Sequence, residues 1–172
     1  MLDKLLELDL QHSRRLNIAG QPGILRTVVG ILAHSGDSWF WLAGLAVLFI
    51  LGNPAWKNRA AVLAASILAT AILVLALKFS VRRQRPEGQW GAIYRSTDPH
   101  SFPSGHAARA FLITALAIGL GPSWFGIAAL VWAPLVTMAR VAMGVHYLSD
   151  VLAGVLMGLL MGVVILRIIP LL

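Results

Sequence analysis

The stretch Ala60 to Phe79 reads AAVLAASILATAILVLALKF, a run of small and branched apolar residues whose one charge is Lys78. About 20 apolar residues cross a bilayer as a helix, so this run predicts a spanning helix. Before it, Trp39 to Leu51 is short and almost wholly apolar, opened by Gly36-Asp37-Ser38 and closed by Gly52-Asn53-Pro54. Asp37 or Ser38 is suited to cap that helix. After it come Ala107 to Leu120, with Gly121-Pro122 as its turn, then Trp124 to Met143 and Tyr147 to Ile169. The fold class that follows is all-α: a polytopic transmembrane bundle of about five spanning helices, with N-terminal interfacial helices. No internal repeat or low-complexity segment interrupts it.

Residues 1–36 form those interfacial helices in this reading, and 37–172 the transmembrane core of one domain. Met1 to Asn17 mixes acidic and basic residues around Leu2, Leu5, Leu6 and Leu10, the pattern of a helix lying on a membrane surface. It lacks the unbroken apolar core of a cleavable secretory signal. Ile24 to His34 contains Arg26 and falls short of a span, so it is expected at the interface or half-inserted.

Composition agrees. Of 172 residues, 58% are hydrophobic and 12% charged, about half the charged share of a soluble domain. The absence of cysteine excludes disulfides, thiolate metal sites and cysteine nucleophiles. The net charge is +7, which suits either anchoring to anionic headgroups or an anionic substrate. Nucleic acid is not an expected partner, because the basic residues sit between apolar spans and build no basic, aromatic-interleaved face.

Topology decides where the charges meet. If Ala60–Phe79 exits on one membrane face, the polar loop 80–102 lies there, with Arg82, Arg83, Arg85 and Arg95. The next span runs away from that face, the following one returns, and the last departs. Residues near 78–86, 103–106 and 140–150 are therefore expected on one face. Ionisable residues at membrane depth are costly and usually functional.

Three groups stand there: Lys78 and, after six intervening residues, Arg85-Pro86; Pro103-Ser104-Gly105-His106; and Arg140 with His146 and Asp150. His146 and Asp150 share a helix face, and a carboxylate on one imidazole nitrogen fixes the tautomer and makes the other a nucleophile or base. The same pair could equally pack two helices together. His106 opens a helix after Ser104-Gly105, where backbone N–H groups bind anions, or where Ser104 simply caps the first turn. Lys78, Arg85 and Arg140 suit phosphate oxygens, or else snorkel to headgroups.

Taken together, these motifs, in this order between Lys78 and Asp150, resemble the type 2 phosphatidic acid phosphatase (PAP2) superfamily of small integral-membrane lipid phosphatases. The resemblance implies a metal-independent phosphatase, with no cofactor, acting on a lipid phosphomonoester or diphosphate. It implies His146 as the nucleophile that becomes phosphohistidine, Asp150 as its orienting carboxylate, and His106 as the acid for the leaving group and later the base for water. It implies Lys78, Arg85, Ser104, Gly105 and Arg140 as the phosphate clamp, and places the site toward the outer face of a prokaryotic cytoplasmic membrane. The positive-inside rule alone would place this face in the cytoplasm, but several of its cations are accounted for by phosphate. One departure stands out: the family usually has serine before the third-motif arginine, where this chain has Ala139, which removes one possible hydrogen bond.

Arg109, one turn beyond His106, is expected either to tune it, to hold a second phosphate, or to make a helix-surface contact. Arg82, Arg83 and Arg95 read as a solvated loop or a headgroup-recruiting patch, Trp90 and Tyr94 as interfacial aromatics, and His12, His34 and His100 as without partners. Two other functions compete. His106, His146 and Asp150 match a two-histidine, one-carboxylate metal site, which leaves the clamp residues unexplained. A non-enzymatic lipid-phosphate-binding membrane protein leaves the two histidines and Asp150 unexplained.

Overall fold

The computed structural model describes residues 2–87 and 98–169; the expectations for Trp90, Tyr94 and Arg95 lie outside them. The described residues form seven helices: α1 (Leu2–Arg15), α2 (Ile24–Ser35), α3 (Ser38–Leu51), α4 (Pro54–Val81), α5 (Gly105–Leu120), α6 (Ser123–Ala142) and α7 (Leu148–Ile168). One isolated antiparallel bridge, Gln84 with His100, ties the two ends of the α4–α5 connection.

The apolar run that opened the reading is the centre of α4. Pro54 occupies its first turn and Asn53 caps it, the side-chain oxygen accepting the Trp56 N–H at 3.0 Å. Arg82 closes it in the left-handed conformation, φ 53°, with its N–H on the Lys78 carbonyl. At 28 residues and about 1.5 Å per residue, α4 exceeds a bilayer's hydrocarbon core and carries Lys78 to the membrane face.

Three helices, α4, α6 and α7, are long and apolar enough to span, and α5 is a shorter apolar helix of 16 residues. The helices α2 and α3 qualify only as a pair, bent by 57° at the break between them. The segment expected at the interface thus continues into the first apolar helix, as a broken span or a re-entrant loop.

A stripe of glycines draws α7 onto α5. Gly154, Gly158 and Gly162 recur every four residues, and a Cβ at Gly158 would stand 2.1 Å from the Ala108 carbonyl oxygen. Small residues at that spacing let membrane helices touch backbone to backbone. The contact sets the N-terminus of α7 beside that of α5, where the Asp150 carbonyl accepts the Ser104 N–H at 2.9 Å. Deeper in the bundle, Leu45, Leu63, Ile67, Leu112, Ile113 and Leu116 form the largest apolar cluster. Ala139 is buried in a smaller one with Ala33 and Met143.

The N-terminal helix α1 lies across the start of α7. Ser13 Oγ accepts the Leu148 N–H at 2.9 Å, and Asp9 Oδ1 accepts the Ser149 N–H at 3.0 Å. These are two of the four N–H groups that a helix start leaves without intrahelical partners. At the opposite end of the bundle Arg59 Nε donates to the Leu120 carbonyl at 3.0 Å, beside the clustered rings of Trp56, Trp124 and Phe125, which meet tilted or edge-on. An apolar groove of about 420 Å³ opens there. No ionisable side chain lines it.

Candidate active site

His146 stands on the turn between α6 and α7. Gly144 makes that turn with φ +65°, and a Cβ there would meet Asn17 Nδ2 at 2.5 Å. The turn delivers an imidazole that is 1% exposed. Arg85 Nη1 lies 3.3 Å from Nε2. A guanidinium only donates, so Nε2 is the acceptor and Nδ1 carries the proton. Nδ1 is 3.5 Å from Asp150 Oδ2, long for a hydrogen bond but close enough for the carboxylate to orient the ring. Burial pushes the His146 pKa down to about 3; the charges of Arg85 and Arg140 act in the same direction, and Asp150 opposes them. The imidazole is neutral at physiological pH, with its free lone pair on Nε2.

Asp150, itself fully buried, is held from three sides. Its Oδ2 accepts the Tyr147 N–H at 2.9 Å, closing a capping box. Its Oδ1 accepts from Arg83 Nη1 at 2.7 Å, while Arg83 Nη2 reaches Asp9 Oδ2 at 2.7 Å. The Arg83 guanidinium also lies 4.1 Å from the centre of the Tyr147 ring. Arg83 was expected in a solvated loop; the structure makes it the bridge from α1 to the carboxylate behind His146. Arg82 behaves differently, its Nε bonding the nearby Phe79 carbonyl.

Lys78, Gly105, His106 and His146 line one cavity of about 500 Å³. Its remaining wall is divided between an apolar side with Trp39, Ile67, Val74 and Leu75 and a polar side that includes Asp37, Asp98 and Arg109. Ser104 and Arg140 are buried beside it, and Arg140 Nη1 donates to the Ala33 carbonyl at 3.4 Å. Ser104 sits at the N-cap of α5 without making a capping bond, and its hydroxyl has no hydrogen-bond partner among the described residues. His146 also lines a second cavity, of about 210 Å³, between α1 and the segment Gln84–Glu87.

Two acidic residues join the site that the motifs do not contain. Asp98 Oδ2 pairs with both Lys78 Nζ and Arg85 Nη2, and the Asp98 carbonyl accepts from Arg85 Nε at 2.7 Å. One carboxylate oxygen thus occupies the space between two cations. Asp37 is the other. Its backbone sits at the N-cap of α3, but its side chain makes no cap; it pairs with His106 Nε2 at 2.6 Å and His34 Nδ1 at 3.2 Å. His34 therefore has a partner, contrary to expectation. His100 has contacts too, its carbonyl accepting from Lys78 and its ring lying edge-on to Phe79. His12 bonds only the Leu8 carbonyl of its own helix.

Arg109 lines the larger of these cavities and also ties down the break between α2 and α3. Its Nε donates to the Gly36 carbonyl at 2.8 Å and its Nη1 to Ser38 Oγ. Among the described residues no group of three His, Cys, Asp or Glu side chains is arranged to hold a metal ion.

A buried imidazole thus lies between a carboxylate and a guanidinium, and it faces a cavity that also holds a second histidine and a lysine. The PAP2 superfamily model matches residues 59–172, and the chain belongs to that family. It is 38% identical over 141 residues to the decaprenylphosphoryl-5-phosphoribose phosphatase of Mycolicibacterium smegmatis, covering 80% of this chain and 74% of that protein. The Mycobacterium tuberculosis protein of the same name is 32% identical over 138 residues, covering 80% and 76%. The fold is similar to the crystal structure of a transmembrane PAP2-type phosphatidylglycerolphosphate phosphatase from Bacillus subtilis, with TM-score 0.79 at 22% identity over 98% of this chain and 88% of that one. The chain is an integral membrane phosphatase of the PAP2 family.

Proposed function

We propose that this protein hydrolyses a phosphomonoester or diphosphate on a membrane lipid through a phosphohistidine at His146, without a metal ion. The observation that carries the reading is the state of His146: buried, neutral, with its Nε2 lone pair beside Arg85 and its Nδ1 side toward Asp150. The phosphoryl oxygens sit on Lys78, Arg85, Arg140, the Ser104 hydroxyl and the Gly105 N–H. Donors fixed in advance stabilise the charge that develops in such a transition state.

The His146 Nε2 lone pair attacks phosphorus as the bond from phosphorus to the lipid oxygen breaks. The electrons of that bond go to the leaving oxygen, which takes a proton from His106. Water then attacks the phosphohistidine, giving its proton to His106 as the phosphorus–nitrogen bond breaks. Inorganic phosphate and the starting enzyme result. The apolar wall of the larger cavity fits an acyl or prenyl chain. The names of the mycobacterial relatives direct the search first to a phosphomonoester on a polyprenyl-linked sugar.

The test is phosphate release from a panel of lipid phosphates in detergent, for wild type and His146→Ala, with and without EDTA. Chelator-resistant release that disappears in His146→Ala supports the mechanism. Equal release by both proteins removes His146 as nucleophile, and release abolished by EDTA removes metal independence.

A further inference from the structure

We propose that Asp37 is a positioning residue for His106, so that the break between α2 and α3 completes the active site from outside the family motifs. The inference rests on the proposed role of His106 as acid and base.

The break is built onto that histidine. A Cβ at Gly36 would stand 3.2 Å from His106 Cδ2 and 2.9 Å from Val136 Cγ1, so the backbone there packs closely against the ring. Trp41 Nε1 donates to the Ser35 carbonyl at 3.0 Å and Trp132 Nε1 to Ser35 Oγ at 2.9 Å. Arg109 holds Gly36 and Ser38 on either side of Asp37. These contacts come from α3, α5 and α6, and together they fix the backbone from which Asp37 projects.

The carboxylate then does something its position does not require. An aspartate at an N-cap ordinarily accepts from the first turn of its own helix; Asp37 leaves that turn and reaches across to another. An ionised carboxylate only accepts, so the 2.6 Å contact assigns the proton on Nε2 of His106. The remaining nitrogen, Nδ1, is left to give a proton to the leaving oxygen and to take one from water, while Nε2 keeps its own throughout. Burial and the positive charges of Arg140 and Arg109 all disfavour the imidazolium, and the Asp37 carboxylate opposes them. Each histidine of the site then has its aspartate: Asp150 for His146 and Asp37 for His106. Residues 34–38 lie before the matched region, 59–172, and no motif points to them.

The experiment compares kcat/KM for an alkyl phosphate and for p-nitrophenyl phosphate in the same micelles. The variants are Asp37→Asn, Asp37→Glu, His106→Gln and the double variant Asp37→Asn/His106→Gln. The ratio kcat/KM covers only steps up to phosphoryl transfer, and the nitrophenol leaves without an acid. Asp37→Asn is expected to lose about 10- to 100-fold on the alkyl substrate, with p-nitrophenyl phosphate little changed and partial rescue by Asp37→Glu. The double variant should be no slower than His106→Gln. Because both substrates are read from one preparation, a folding defect would lower both and leave their ratio unchanged. An unchanged ratio in Asp37→Asn, or an undiminished loss in the His106→Gln background, overturns the proposal while leaving His106 in place. Full alkyl-substrate activity in His106→Gln instead overturns the underlying role of His106.

Discussion

A single proton on His146 separates a nucleophile from an inert cation, and the residues around it keep that proton off. The unfolded imidazole titrates near its ordinary value of 6.5, the folded one near 3. Between those values the unfolded state binds more protons, so this group lowers stability as pH falls from 6.5 toward 3 and has no such effect above 6.5. His146→Gln should therefore show a smaller drop in Tm between pH 7 and 5 than wild type; an equal drop would mean that His146 titrates normally. A second prediction concerns Asp98, whose carboxylate holds the two clamp cations. Asp98→Asn should tighten inhibition by orthovanadate, because an anion competing for Lys78 and Arg85 has been neutralised. Weaker inhibition would show that Asp98 instead holds the clamp in shape. Ser104→Ala, which removes a buried hydroxyl without another partner, should cost about 100-fold in kcat with stability little changed. The meeting of Lys78, Gly105, His106 and His146 at one cavity was legible in the sequence from the direction of the spans, and the nearness of His146 to Asp150 from their four-residue spacing. Asp37, Asp98 and the bridging role of Arg83 were not, because each acts on a residue far away in the chain, and only packing reveals the pairing.

At the scale of elements, the three spans that are long and unbroken were plain from hydropathy, while α2 was not. Its Arg26 and short length suggest an interfacial piece, yet after a 57° bend at the break the chain continues directly into α3. The spacing of Gly154, Gly158 and Gly162 also stands in the sequence, but nothing in the sequence alone says which helix they face. The structure pairs them with α5, bringing the start of α7 against that of α5, where the Asp150 carbonyl accepts the Ser104 N–H. Gly158→Leu should force the two helices apart, since even a Cβ would lie 2.1 Å from the Ala108 carbonyl. We expect a lower Tm in detergent together with loss of activity. A wild-type Tm would show that the α5–α7 contact is looser than described. The amphipathic helix α1 was recognisable as a helix, but its role as a remote cap for α7 depends on Asp9 and Ser13, which look like ordinary polar-face residues.

In the whole molecule, polar chemistry gathers at one end of an apolar bundle, and an aromatic cluster with Arg59 at the other. That asymmetry follows from chain direction through the spans. Which end faces the cell exterior is a separate matter, and the chain's lack of cysteine makes it easy to address. A single Arg82→Cys variant should react with a membrane-impermeant maleimide in intact cells if the site faces outward, and only after lysis if it faces the cytoplasm. The central claim, that the phosphoryl group passes through His146, is tested most directly by trapping the intermediate. His106→Ala, given radiolabelled p-nitrophenyl phosphate in the presence of EDTA and quenched in alkali, should accumulate an acid-labile, alkali-stable label on the peptide containing His146. Continued phosphate release with no label on that peptide would contradict the account.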